Sequence, residues 1–419
     1  MEQLKKLYSL CMHGNYKQWC VIYVAIFLFP ILAVFPFNVL VDSSAYFSVN
    51  LIDRNGLEQL LNGKTISEVH PKNARSRNRY LIKNREEKVD IIAVGSSRTH
   101  GLRREYITSE ETFFNHAMSR AGLEDYIGIV GGYKKFKGYI PRKVILGVDP
   151  WVFNGNNQAF LGDWEIFNEL YFYLIGEMGA EEENLHKEWN GASTFQRLLS
   201  VEYFIANIVY LYNILIRGEE HNYVVEGTHI NIPASPRTKC DLRKAYPTYA
   251  MESIECADIP VSPCPTCEMR KVYFSHTTEP DGSKHYPINY LFRGNAGEKT
   301  FEAEHSRNGF ENYKNLSNTR LFEKFVDYLQ EENVEVIFFL SPFHNFAYKR
   351  FLLPGFHFNI IMDVEVYLRK IAMKKNIQLI GSYNPNAYSL TSRDFMDSIH
   401  ATSYAIGKIF KVHQNDLPH

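Results

Sequence analysis

The chain has 419 residues, of which 45% are hydrophobic and 22% are charged, and its formal net charge is −1. This is the composition of a globular protein with room for one large or two modest domains. The near-neutral charge gives no electrostatic reason to expect nucleic acid as a partner.

The first predicted element is a membrane anchor at residues 19–41, a run without charged residues. At about 1.5 Å per residue it is long enough to cross a hydrocarbon core of about 30 Å. Lys5, Lys6 and Lys17 precede it, so residues 1–18 are expected in the cytoplasm and the rest of the chain outside it, in the periplasm or at the cell surface. The alternatives are a cleaved signal peptide and a buried core helix.

A second apolar stretch runs from Leu198 to Ile216 and contains Glu202, Asn207 and Asn213. Charged and amide side chains are costly in lipid. We therefore expect a buried or membrane-skimming helix here rather than a second span.

Residues 42–88 are mixed and polar, which indicates a linker, and an α/β domain is predicted over 89–419 with an insertion at 151–310. The predicted strands lie at 89–94, 112–118, 143–150, 334–342 and 377–383, and the predicted helices at 123–136, 318–333 and 363–376. Strands that alternate with helices predict a parallel sheet with helices on both faces. The insertion is expected over the edge where such sheets bind ligands.

Four cysteines fall within this insertion: Cys240, Cys256, Cys264 and Cys267. In an oxidising compartment they suit two disulfides. A zinc site is the alternative, because Cys264 and Cys267 have metal-ligand spacing. Free thiols are the third possibility.

The chemistry begins where the first strand of the domain ends, at Gly95-Ser96-Ser97. A serine at this turn would lie at the N-terminus of the next helix, where backbone N–H groups stabilise an oxyanion. Serine also needs a base. Near the C-terminus, Asp397 and His400 are three residues apart, so the carboxylate can orient the imidazole toward the serine.

This order, with Gly-x-Ser after a strand and Asp-x-x-His after the last one, resembles the SGNH (GDSL-type) hydrolase superfamily over roughly residues 89–150 and 316–410. Gly-Ser-Ser replaces Gly-Asp-Ser, as in membrane-anchored acyl-transfer branches of the cell envelope. The resemblance implies a flavodoxin-like fold. It also implies that Ser97 is the nucleophile, His400 the base and Asp397 its orienting acid.

The oxyanion site departs from the family pattern, because Asp149 stands where the family has a hydrogen-bond-donating asparagine. A carboxylate repels an oxyanion. The candidate donors are therefore the Ser97 N–H group with Asn115 or Asn154.

Two further residues are candidates for substrate binding. Arg98 suits an anionic substrate group, or else it is a helix-start arginine that pairs with a surface acid. His344 follows a strand at the same edge, and it is expected to bind substrate, to serve as an alternative base, or to be a structural loop residue.

Two functions follow from these residues. The first is an anchored extracytoplasmic serine acyltransferase or esterase that acts on an envelope polysaccharide, with a membrane acyl-donor protein as partner and no cofactor or metal. The second is a catalytically degenerate domain that binds glycan or scaffolds a polysaccharide-modification complex. A flavodoxin-type nucleotide binder is disfavoured, because the turn lacks a phosphate-cradling glycine pattern.

Overall fold

The structure is a computed structural model of the chain. It describes residues 16–41, 51–67, 74–108, 110–154, 167–180, 199–216, 229–233, 269–273, 277–286, 301, 315–353 and 360–415. The four clustered cysteines lie outside these residues, so their predicted disulfide, zinc or thiol state stays a prediction.

A parallel sheet of five strands forms the centre of the molecule. Its strands are β2 (Ile91–Gly95), β3 (Phe113–Asn115), β4 (Lys143–Gly147), β9 (Glu335–Leu340) and β10 (Gln378–Gly381). Their spatial order is β3-β2-β4-β9-β10, or 2-1-3-4-5 by position in the chain. In this order the chain reverses direction between β2 and β4, which is where doubly wound sheets place ligands.

Both faces of the sheet are buried, which explains why the central residues of its strands are apolar. Ile92 and Val94 face one hydrophobic cluster, whereas Ile91 and Ala93 face the other. The larger cluster takes in helices α5 (Leu123–Lys137), α6 (Asn168–Glu177), α8 (Thr319–Glu331), α9 (Asn345–Phe351) and α10 (Ile360–Lys374), and the smaller takes in α11 (Ser403–Asn415). The predicted α/β architecture is confirmed.

The expected linker at 42–88 contains two helices, α3 (Leu51–Leu61) and α4 (Ala74–Asn84). Helix α4 buries Leu81 and Ile82 in the larger cluster. Its Arg75 forms a buried ion pair with Asp125 of α5, at 2.7 Å. The arginines of this segment led to the prediction of a polar linker, but Arg75 forms its ion pair inside the fold.

The insertion and the 42–88 segment together form a small antiparallel sheet beside the parallel one. Its strands are β1 (Ile66–Ser67), β7 (Thr277–Thr278) and β8 (Lys284–His285). This small sheet contacts the parallel sheet through a hydrogen bond, which Asn115 N–H of β3 donates to Asp281 O in the β7–β8 hairpin at 2.7 Å. Among the described residues, the insertion also contains the helices α6 and α7 (Val201–Leu215) and the strands β5 (His229–Pro233) and β6 (Met269–Tyr273).

The N-terminal apolar segment is helical from α1 (Tyr16–Phe29) through a π-helical turn (Pro30–Val34) to α2 (Phe35–Val41). The turn begins at Pro30, which lacks the N–H group that a regular helix needs. By length and composition, Val21–Val41 is able to cross a membrane. Helix α7, within the second apolar stretch, has 15 residues.

Candidate active site

The turn after β2 separates its two serines. Ser96 is fully buried, and its Oγ accepts a hydrogen bond from Arg98 N–H at 3.2 Å. Ser97 is half-buried and opens a short 3₁₀ turn, Ser97–Thr99. A helix was expected at this point, but the structure has a three-residue 3₁₀ turn. The stabilisation of an oxyanion by a helix dipole therefore does not apply.

Two glycines allow this turn to fold back over the sheet. A Cβ atom at Gly95 or at Gly147, its register partner on β4, would overlap Thr99 Oγ1. Thr99 is β-branched and cannot swing aside freely. The glycines thus fix the position of the turn that carries Ser97.

Ser97, His400 and Asp397 form a continuous hydrogen-bonded chain. Ser97 Oγ lies 2.7 Å from His400 Nε2, although the two residues are 303 positions apart. His400 Nδ1 lies 2.6 Å from Asp397 Oδ2. Both distances are within the range for a nucleophile, a base and an orienting group.

The surroundings of Asp397 determine which nitrogen of His400 carries the proton. Burial raises the pKa of Asp397, but His400 and the backbone N–H groups of Ile399 and His400 outweigh it and lower that pKa overall. An ionised carboxylate only accepts hydrogen bonds, so His400 Nδ1 donates to Asp397. Nε2 is then the acceptor for the hydroxyl of Ser97.

Arg98 is held inside the fold, which favours the structural alternative over contact with an anionic substrate group. Its side chain is fully buried and pairs with Asp149 at 2.7 Å. Its Nε donates to Ile399 O at 3.0 Å, and its second terminal nitrogen donates to Ser341 O. The partner is a buried acid rather than a surface one.

The Arg98–Asp149 pair joins several strand ends behind the nucleophile. Asp149 follows β4, Ser341 follows β9, and Ile399 precedes the candidate base. The guanidinium lies 3.8 Å from the ring centroid of Phe343. Burial raises the pKa of Asp149, whereas Arg98 opposes that rise.

Asn115 does not face the Ser97 hydroxyl as an oxyanion donor. Its Nδ2 donates to Thr99 O and Leu102 O, both at 2.9 Å, and its Oδ1 accepts from Ala117 N–H. Both amide hydrogens thus hold the loop between β2 and β3.

Asn154 is buried at the end of the 3₁₀ turn Pro150–Phe153, and its backbone N–H donates to Trp151 O. This turn follows β4 at the same edge of the sheet. The oxyanion role of Asn154 stays a prediction.

His344 occupies the predicted edge but serves as a helix cap. Its Nδ1 accepts from Phe346 N–H at 3.0 Å, at the start of α9. Its backbone N–H donates to Ser398 O in the loop that carries the triad acid and base. His400, and not His344, contacts Ser97.

Tyr286, from the insertion, is a site residue that sequence reasoning missed. Its ring centroid is 6.1 Å from that of His400, and its hydroxyl lies 3.4 Å from His100 Nδ1. The hairpin that precedes Tyr286 is joined to the turn region, since Lys284 N–H donates to His100 O at 2.8 Å. Nothing in the local sequence around Tyr286 links it to a histidine more than a hundred residues away.

Comparison with known proteins leaves the family open. The chain matches no protein-family model and no curated protein. Within the described part of the chain, no group of three or more His, Cys, Asp or Glu residues is placed to hold a metal ion. The functional interpretation therefore rests on the geometry of the site.

Proposed function

We propose that this protein is a membrane-anchored, extracytoplasmic serine acyltransferase or esterase of the SGNH type that acts on a cell-envelope polysaccharide. The observation that carries the proposal is the hydrogen-bonded chain Ser97–His400–Asp397. It lies at the point where the strand order reverses, the usual ligand site of a doubly wound sheet. Strand order 2-1-3-4-5 also supports the flavodoxin-like fold that the SGNH resemblance implies.

In this mechanism Ser97 Oγ attacks the carbonyl carbon of an acyl donor while His400 Nε2 takes the hydroxyl proton. The tetrahedral intermediate collapses to an acyl-serine, and His400 returns the proton to the leaving group. A sugar hydroxyl or water then attacks the acyl-serine, with His400 again acting as base. Asp397 keeps the imidazole in the required tautomer and stabilises its charged form.

The pairing of Asp149 reduces the main objection to catalysis. An isolated carboxylate near the nucleophile would oppose a developing oxyanion. Arg98 stays protonated and lies 2.7 Å from this carboxylate, so the pair is close to neutral as seen from Ser97. The Ser97 N–H group is the first candidate donor, and Asn154 is the second.

The substrate class follows from the membrane anchor and from the resemblance to envelope acyl-transfer branches. An anchor at Val21–Val41 would hold the α/β domain at the outer face of the membrane. Acyl-CoA is a cytoplasmic donor, so a membrane acyl-donor protein is the expected partner. Tyr286 beside His400 offers an aromatic surface for a sugar acceptor.

The second candidate is a non-catalytic domain that binds glycan or scaffolds a modification complex. The commitment of Asn115 to the loop favours this candidate, because it removes one expected oxyanion donor. The two functions differ in one measurable property, the reactivity of Ser97.

A fluorophosphonate probe tests this reactivity in membranes that contain the full chain. We expect wild type to be labelled, with the adduct on the Ser97 peptide in mass spectrometry, and Ser97→Ala and His400→Ala to be unlabelled. Ser392→Ala, at an exposed serine, is the matched control and should label like wild type. Absence of labelling in wild type would favour the non-catalytic domain.

The acceptor is tested on the same preparation with p-nitrophenyl acetate as the acyl donor. Polysaccharide fragments from the envelope should gain acetyl groups only when Ser97 is present. Release of acetate without any acetylated fragment identifies an esterase instead.

A further inference from the structure

Helix α7 has one narrow buried face. Tyr203, Asn207 and Tyr210 are buried, at the spacing of four and three residues that places side chains on one side of a helix. Phe204 and Leu211 are half-buried, and six large apolar side chains of the helix are exposed: Val201, Ile205, Ile208, Val209, Tyr212 and Leu215. A helix that is apolar on nearly every side is not adapted to water.

The buried face of α7 contacts the membrane anchor. Asn207 Nδ2 donates to Asn38 Oδ1 at 3.0 Å, and both asparagines are 0% exposed. Asn38 Nδ2 donates to Ser200 O at 3.3 Å. The ring centroids of Phe37 and Phe204 are 4.8 Å apart.

These contacts explain how Asn207, one of the polar residues that argue against lipid in this stretch, can lie in a bilayer, whereas the side chain of Asn213 lies outside the described residues. An amide is costly in hydrocarbon only when its hydrogen bonds are unmade, and amide pairs join helices within membranes. Asn38 and Asn207 satisfy each other inside the helix–helix contact. Glu202, the charged residue, lies in the first turn of α7 and is exposed.

The surroundings of α7 must match those of the anchor segment on which it packs. Leu40, next to the contact, is 79% exposed, and Ile208 on α7 is 45% exposed. Because α7 packs on the anchor at Asn38, α7 lies at the same level as this part of the anchor. The medium that surrounds this part of the anchor therefore also surrounds the exposed side chains of α7.

We propose that α7 is embedded in the lipid bilayer beside the C-terminal half of the anchor, without crossing the membrane. Its 15 residues span only about 22 Å at about 1.5 Å per residue, which is shorter than the hydrocarbon core of about 30 Å. Asn38 is near the outer end of the anchor, so α7 lies in the outer leaflet. This inference rests on the membrane placement of the anchor within the proposed function, and not on the reactivity of Ser97.

The test is photo-crosslinking of the full chain in the membranes of expressing cells. p-Benzoylphenylalanine replaces Ile208 or Tyr212 on the outer face of α7, and adducts are identified by mass spectrometry. Leu40 on the anchor is the positive control, and Met373, an exposed apolar position on α10, is the matched negative control. We expect phospholipid adducts at 208, 212 and 40 and none at 373.

The controls separate the possible failures. Lipid adducts at position 40 but not at 208 or 212 would contradict only the embedding of α7. The absence of a lipid adduct at position 40 would also contradict the membrane placement of the anchor. Crosslinks from 208 or 212 mainly to another protein, or to a second copy of this chain, would assign this face to a protein partner and reject the lipid.

A second measurement tests the asparagine contact. With p-benzoylphenylalanine at Tyr203, on the buried face, the expected adduct is to the anchor peptide of the same chain. Asn207→Leu should reduce the yield of that adduct several-fold, and Ile208→Leu, its neighbour on the exposed face, should not. Equal yields in both variants would contradict a joining role for the amides.

Discussion

Ser97 and Arg98 are neighbours in the chain, yet their side chains lie in opposite environments. Ser97 is half-buried and contacts an imidazole that is itself partly exposed. Arg98 is fully buried and is held by a carboxylate and two backbone carbonyls. The exposed set of groups is arranged for proton transfer, and the buried set is arranged to hold strand ends together.

This difference shows that polar residues at one sheet edge need not share one role. Buried charges are retained only when they are paired and hydrogen-bonded. A half-exposed triad instead keeps access to a substrate. Changes to the exposed set should therefore affect reactivity at constant stability, and changes to the buried set should affect stability first.

The largest expected effect is on reactivity, from Asp397→Asn. The amide can present its NH₂ group to His400 Nδ1, which places the ring proton on Nε2 and removes the acceptor for Ser97. The rate of fluorophosphonate labelling should fall on the order of 10⁴-fold, with little change in the urea midpoint in detergent. Asp394→Asn, at another acid of the same loop, should label nearly as fast as wild type, and an equal loss in both would contradict the triad.

The next effect is on stability, from Asp149→Leu. The variant leaves the Arg98 charge buried and unpaired, which costs about 3–5 kcal/mol. The double variant Arg98→Met/Asp149→Leu removes both charges and should recover most of this loss in urea unfolding. If the single and double variants are equally stable, the pair does not hold the strand ends as described.

A smaller effect is expected from Gly147→Ala, which places a methyl group against Thr99. Overpacking of this kind costs about 1–3 kcal/mol and should displace the turn that carries Ser97. Labelling should slow and the protein should be less stable. Gly176→Ala, where the added methyl group meets open space, is the control and should neither slow labelling nor lower stability.

The smallest effect is a pH dependence of stability from His116. Burial, with Arg85 and Arg77, holds the pKa of His116 well below its usual value. The unfolded chain then binds more protons below pH of about 6.5, so stability should fall by up to about 1.4 kcal/mol per pH unit as the pH drops from 6.5 to 5.5. His116→Asn should be less stable at pH 7.5 and have a shallower pH slope; an unchanged slope would show that His116 does not titrate in this range.

The parallel sheet could be predicted from the sequence because its strands and helices have strong local patterns. Runs such as 89–94 and 334–342 are mostly apolar, with one acid each at Asp90 and Glu335, and 318–333 has a clear helical period. Helix α4 was missed because its buried residues are interspersed with three arginines and a lysine. The ion pair of Arg75 with Asp125 depends on a partner 50 residues away, which no local pattern reveals.

The candidate site is similar: residues with a recognisable local pattern could be predicted, whereas contacts between residues distant in the chain could not. Asp397 and His400 are close in the chain, and a serine at a strand end is conspicuous, so all three could be named in advance. The partner of Arg98 could not be named in advance because that acid, Asp149, is 51 residues away, after another strand. Tyr286 and the Asn38–Asn207 contact come from segments whose neighbours are set only by the tertiary fold.

The separation of Ser97 and His400 also determines when the site comes into existence. The nucleophile is synthesised in the first quarter of the chain and the imidazole 303 residues later. Arg98 likewise waits for Ile399 before its contacts are complete. On the proposed mechanism, a nascent chain therefore carries an inert serine until His400 has been made and has folded against Ser97.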